Sequence, residues 1–220
     1  HYENGKVHTD IALAYLIKHK FVGIKVDIIT PKEITNQRLK KNDINFVIGY
    51  DIINAINDDP FVKKFSGQAG LEKLDKIYQI NTNNVFPSYP FMSFLWDKKI
   101  YLQHLEKNKI PISPTIFIKK NIKIQNLLKK VVGKGWKDFI IKPIGGTIAY
   151  GLGIFNRKEC SENTSLLEEY FTEENQYYEE YLVQEKIEGF TKYGEIKTFW
   201  IDGKLSYAVN TPGATSPDET

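Results

Sequence analysis

Apolar positions recur along this chain at helical spacing in some stretches and as short continuous runs in others, and the two patterns mark out its elements. From Thr9 to about His19, Ile11, Leu13, Tyr15 and Leu16 give a helix an apolar face, with Thr9 or Asp10 as its cap. Gly23 then precedes an apolar run, Ile24 to Ile29, which predicts a strand. Asn45 to Ile48 predicts a second strand, with Gly49 and Asp51 at its end and a helix-like IINAI segment beyond. Residues 1–90 therefore predict a small open α/β domain. Such a unit normally supplies a strand before its first helix, and the polar, turn-rich NTPGATSPDET follows a hairpin at once, so both ends read as cut.

Pro87 and Pro90 mark a boundary before a helix that begins near Ser93 and runs through Lys98, Leu102 and Leu105 to about Lys107. An extended segment follows at Pro114 to Ile118, then a helix at Ile124 to Val132 and a short buried strand at Phe139 to Ile141, closed by Lys142. Glu159 to Glu180 is acidic, with Leu166, Leu167, Tyr170 and Phe171 at helical spacing, and predicts a surface helix and loop whose charge is solvated. Tyr181 to Ile187 is strand-like. Glu195 to Trp200 and Lys204 to Val209 flank Asp202-Gly203, a strong signal for a two-residue hairpin turn.

Composition narrows the classes. The 220 residues are 41% hydrophobic, enough for a sizeable core in one large domain or two small ones. A formal charge of +3 from 30 basic and 27 acidic side chains indicates no nucleic-acid partner, so any phosphate-binding surface must be local. Cys160 is the single cysteine, which excludes an internal disulfide framework and a cysteine-based zinc site and makes a cytoplasmic location the default. No apolar run approaches the ~20 residues of a membrane span, and the start lacks the apolar centre of a signal peptide, so no membrane partner is expected. His1, His8, His19 and His104 show no metal-ligand pairing, and a homo-oligomer stays open.

The run Phe139 to Phe155 carries the most chemistry. Lys142 ends an apolar strand, and Gly145, Gly146, Gly151 and Gly153 allow a turn whose N–H groups can approach phosphate oxygens. The known fingerprints do not fit, because Leu152 stands where a P-loop lysine would follow and Asn156 where a dinucleotide motif needs a third glycine. A glycine-rich hairpin joining two strands accounts for this segment equally well.

Four motifs in order, Lys98 in FLWDKKIYLQHLEKNKIPISPT, Lys142 in IIKPIGG, YLVQEKIEG and GEIKTFWIDGK, resemble the ATP-grasp superfamily, and within it the glutathione-synthetase-like carboxylate-amine ligases. The resemblance covers roughly Phe91 to Val209, and Lys109 stands where that family's strand entry commonly has glycine. It implies an α/β (α+β) fold of ATP-grasp architecture: a domain over 1–90, an ATP-grasp region over 91–220, a lid subdomain over 113–181 and the start of a C-terminal ATP-binding core over 182–220.

The same resemblance implies roles by position. Lys98, after Asp97, would be the first lysine on the nucleotide phosphates, with Lys99 as its neighbouring competitor. Lys142 would be the second, and Gly145, Gly146 and Thr147 would begin a flap over the phosphates that continues through Gly151 and Gly153. Gln184, Glu185 and Ile187 would meet adenine, Glu195 the ribose hydroxyls, and Lys197 a phosphate or acyl phosphate in place of the usual arginine. Glu195 and Lys197 are equally well read as a surface pair, and the adenine segment as a plain strand edge.

The implied cofactors are ATP and Mg2+, and the implied partners are a small carboxylate and an amine. The family's magnesium ligands would fall after Thr220, and Asp218 and Glu219 are not assigned to metal. The implied reaction joins the carboxylate to the amine with release of ADP and phosphate. A regulatory or scaffold protein that binds ATP without turnover is the alternative. His8, Asp10 and Asp51 could face a ligand, but capping and solvation account for them better.

Overall fold

The computed structural model describes residues 2–3, 6–7, 9–29, 35–46, 84–145, 151–176 and 178–211. Two compact units divide it, His1–Lys63 with Ala69–Ser93, and Lys64–Gln68 with Phe94–Thr220. The predicted features at Asp51, the IINAI segment, Gly146, Thr147, His1, His8, Asp218 and Glu219 lie outside the described residues.

In the first unit a two-residue hairpin, β1 (Tyr2–Glu3) with β2 (Lys6–Val7), precedes α1 (Thr9–Lys20). The predicted apolar face of α1 is only half covered, with Leu13, Tyr15 and Leu16 exposed. Residues 24–29 do not form the predicted strand. They pair with no strand among the described residues, and Ile24 and Ile28 remain half exposed, so apolarity alone did not secure a ladder there. After α2 (Asn36–Leu39), strand β3 (Asn45–Phe46) pairs in parallel with β4 (Val85–Phe86). Buried Asn45 fastens this crossover, donating to the Leu39 carbonyl at 2.9 Å and to the Asn84 side chain at 3.1 Å. Arg38 closes a bidentate pair on Asp27 at 2.9 and 3.0 Å.

The single helix predicted from Ser93 is two helices, α3 (Tyr89–Trp96) and α4 (Lys98–Lys107). Pro90 sits in the first turn of α3, where its missing N–H does no harm, so it opens the helix and does not precede it. Asp97 breaks the run with an extended backbone and caps α4, accepting hydrogen bonds from the Lys99 and Ile100 amides at 2.8 and 3.0 Å.

The second unit is built on a four-stranded sheet ordered β5–β8–β6–β7: Thr115–Lys119, Glu180–Glu185, Asp138–Pro143 and Gly153–Asn156. All pairs are antiparallel. Strand β8 lies inside this sheet, paired with β5 on one edge and β6 on the other. Helices α5 (Ile124–Gly133), α6 (Arg157–Glu162) and α7 (Ser165–Glu174) contribute to one core. Leu127, Val131, Phe139, Ile141, Leu167, Tyr181 and Val183 are fully enclosed there. Each large side chain so buried contributes roughly 1.5 to 3 kcal/mol. Glu174 departs from the predicted solvated acidic face: it stands three residues after Phe171 and seven after Leu167, on the inward stripe, and is 6% exposed.

Ile187 precedes α8 (Glu188–Tyr193), and the hairpin β9 (Glu195–Ile201) with β10 (Lys204–Thr211) follows. Asp202 and Gly203 turn it at φ 51° and 70°, as their dipeptide predicts. Every residue of both strands is exposed, and the Phe199 and Tyr207 rings stack at 4.4 Å.

Candidate functional site

Side chains alternate across the second unit's sheet, so the register sorts them into two faces. Ile118, Phe139, Ile141, Tyr181 and Val183 point to the helices and the core. Thr115, Phe117, Ile140, Lys142, Leu182 and Gln184 share the other face, where Lys142 lies opposite fully buried Leu182 and Ile140 opposite Gln184. A cation at the strand end, with apolar side chains behind it, is an arrangement that suits a ligand with a flat apolar part and an anionic tail.

The amino end of α4 closes on the end of β6. The Ile144 carbonyl accepts hydrogen bonds from the Lys98 amide and from the Lys98 ammonium, each at 3.2 Å. Lys98 and Lys142 thereby come close enough for their charges to oppose each other. Burial and the nearby Lys142 charge lower the Lys98 pKa to about 8, against a partial offset from Asp97. Burial lowers the Lys142 pKa too. Two desolvated ammonium groups at one strand end raise the positive potential there, and bringing them together costs free energy that Asp97 offsets only in part.

Lys98 and Lys99 point to different partners. Lys99 pairs with Glu180 at 2.8 Å and pins the start of α4 to β8. The first α4 amides are already occupied, that of Lys98 by the Ile144 carbonyl and those of Lys99 and Ile100 by the Asp97 carboxylate, so α4 presents no open helix end here. Replacing Asp97 with alanine is expected to cost about 1 kcal/mol in urea unfolding. Asp97→Asn keeps the cap and leaves that stability within about 0.5 kcal/mol. Because both variants remove the charge that raises the Lys98 pKa, both are expected to weaken anion binding near pH 8, and nucleotide titration beside the unfolding curves separates the two effects.

Other predicted residues are placed differently. Gly145 is buried three residues beyond Lys142, and Gly151 has φ 68° with its backbone against the Pro143 ring. The strands flanking the glycine run, β6 and β7, pair antiparallel, as the hairpin reading of this segment expects. Gln184 is 7% exposed and donates to the Thr115 hydroxyl at 2.8 Å, while the Lys186 amide donates to the Asp138 carbonyl at 3.0 Å. Glu195 and Lys197 lie on the exposed hairpin and pair with each other at 3.6 Å, with over half of each side chain in solvent. This is the surface-pair geometry. Glu180, the Ile144 carbonyl and the inward place of Glu174 were not found from the sequence; the helical stripe through Leu167, Tyr170 and Phe171 carried a signal for the last.

Among the described residues no group of three His, Cys, Asp or Glu side chains comes together to hold a metal. No helix among them is long and apolar enough to cross a membrane.

No protein-family model and no curated protein matches the sequence. Solved structures do. The fold is that of D-cycloserine synthetase DcsG, with a TM-score of 0.69 at 15% identity over 95% of this chain and 65% of that one. A D-alanine–D-alanine ligase from Bacillus anthracis, solved in complex with ATP, gives 0.50 at 17% identity over 96% of this chain and 65% of that one. The chain thus has the mixed α/β ATP-grasp fold and spans about 65% of the length of both proteins.

Proposed function

We propose that this chain binds ATP with its phosphates between Lys98 and Lys142, as part of a ligase that joins a carboxylate to an amine. The observation that carries this reading is the convergence of two partly buried ammonium groups at the end of β6, beside the first glycine of the 145–153 run. Adenine would lie along Ile140, Leu182 and the 184–187 segment. The ATP-grasp fold and the ATP-bound neighbour support the choice of nucleotide.

In the proposed reaction a carboxylate oxygen bonds the γ-phosphorus as the bond to the β–γ bridging oxygen breaks, giving an acyl phosphate and ADP. The amine then attacks the acyl carbon, phosphate leaves with the electron pair of the C–O bond, and the amine releases a proton to solvent. The chain's own contribution is to hold the phosphates and offset their charge, which is most of what phosphoryl transfer requires of a protein. Lys142 and Lys98 serve that purpose here, and Lys197 would approach the acyl phosphate only by leaving Glu195. Buried, free Cys160 fits a cytoplasmic setting.

The outward pair of Glu195 and Lys197 favours one other reading, an ATP-binding protein without turnover. Assaying products over a panel of carboxylates and amines separates the two. ADP and phosphate formed only with both substrates support the ligase; AMP and pyrophosphate would rule it out, and ATP bound without turnover supports the binding protein.

A further inference from the structure

Two glycines of the 145–153 run have neighbours that explain them without a ligand. A Cβ on Gly151 would stand 2.7 Å from Pro143 Cγ and 2.9 Å from Glu174 Oε2, and the backbone there is left-handed, at φ 68°. A Cβ on Gly153 would stand 2.4 Å from the Phe155 ring and 3.0 Å from that of Tyr170. Both positions lie under α7. Tyr170 passes across Gly153, and its hydroxyl donates to the Gly151 carbonyl at 2.6 Å. Its ring is fixed edge-on against Phe155, Phe171 and Tyr181 at 5.4, 5.2 and 6.1 Å. The hydroxyl is therefore a rigid support, and burial among Tyr181, Glu174 and Tyr178 keeps it protonated throughout the working pH range.

We infer that Tyr170 is a positioning residue for the phosphate end of the ATP site, acting through the backbone of Gly151. This rests on the proposed ATP site. The strand end provides the link: Gly151 is pressed onto Pro143, Pro143 follows Lys142, and Gly145 lies two residues further on, so both described ends of the glycine run are held at the same end of β6. Tyr170 acts from the helical side of the sheet, whereas Lys142 projects from the opposite face. No residue of α7 needs to touch nucleotide for this control to operate. Glu174, one turn after Tyr170, completes the seat against which Gly151 rests.

A support for the phosphate end should matter more for ATP than for AMP, which offers a single phosphate. Tyr170→Phe keeps the ring contacts and removes only the donor. Calorimetric titration of the full chain with ATP and with AMP is expected to show ATP affinity reduced about fivefold, one neutral hydrogen bond's worth, with AMP affinity changed less than twofold. Gly151→Ala, which moves the same backbone off Pro143 while leaving Tyr170 intact, is the second variant and should lower the same ATP-to-AMP ratio. A general loss of structure would weaken both ligands together and shift the urea midpoint. An unchanged ratio, or an equal loss of both ligands, in a chain whose unaltered form binds ATP overturns the inference alone. Absence of ATP binding by the unaltered chain overturns the site reading and this inference with it.

Discussion

Replacing Lys142 with methionine is expected to weaken ATP binding roughly 10- to 100-fold and, in the same variant, to make the ligand-free chain more stable. The first effect follows from losing a charge-assisted contact, worth about 1.5 to 3 kcal/mol. The second follows from the environment: the Lys142 ammonium is desolvated and opposes Lys98, so an apolar side chain of similar length removes a cost that the ligand-free chain otherwise carries. Thermal unfolding with and without nucleotide reads both effects at once. The unaltered chain should start lower and rise strongly with ATP, whereas Lys142→Met should start higher and barely respond. A variant that loses stability but keeps its ATP response would show that Lys142 holds up the fold and does not hold phosphate.

The second large effect is a dependence on pH set by Lys98. Its pKa of about 8 in the folded chain lies below the ordinary lysine value of 10.5, mainly because of burial and then because of Lys142. The cation that should grip phosphate is therefore mostly charged at pH 7 and mostly neutral at pH 9, and ATP affinity is expected to fall about tenfold across that interval. The stability of the ligand-free chain should move the other way. Between about 8 and 10.5 the unfolded chain binds the extra proton, so this group's contribution to stability rises with pH through that window, and below it the buried charge is a net cost. Bound phosphate would raise the Lys98 pKa, so titration near pH 8 in buffers of different ionisation enthalpy should reveal proton uptake on ATP binding. Affinity that stays flat from pH 7 to 9 would exclude Lys98 from the site.

Much of the second unit was legible in the sequence because its patterns are unambiguous there. The short apolar run ending in Lys142, the helix at Ile124 and the Asp202-Gly203 hairpin all formed where periodicity and turn chemistry put them. Other features depended on partners that are distant in sequence. The run at residues 24–29 is as apolar as β6, yet it meets no strand among the described residues. Lys98 and Lys99 are adjacent and chemically alike, and only the docking of α4 against β6 and β8 sends one to Ile144 and the other to Glu180. The break at Asp97 was hidden because apolar residues continue on both sides of it, although the Asp-Lys-Lys step carries a capping signal.

The glycine run shows most clearly how far the sequence reaches. Its glycines suggested close approach to phosphate, but Gly151 and Gly153 are each accounted for by protein neighbours, Pro143 and Glu174 for the first and Phe155 and Tyr170 for the second. The tyrosine that ties them down lies 19 residues beyond Gly151, on a helix whose apolar spacing is visible in the sequence but whose contact with the glycine run is not. Glu195 and Lys197 are the opposite case. Their two-residue spacing put them on one strand face, as expected, and the structure places them in solvent and paired with each other.

We propose that Lys98 and Lys142 together hold the phosphates of ATP. A crystal structure of the 220-residue chain with a non-hydrolysable ATP analogue tests it most directly. Phosphate oxygens are expected within hydrogen-bonding distance of both ammonium groups at the end of β6, with the base lying toward Ile140 and Leu182. A nucleotide bound elsewhere, with neither lysine in contact with phosphate, would contradict it.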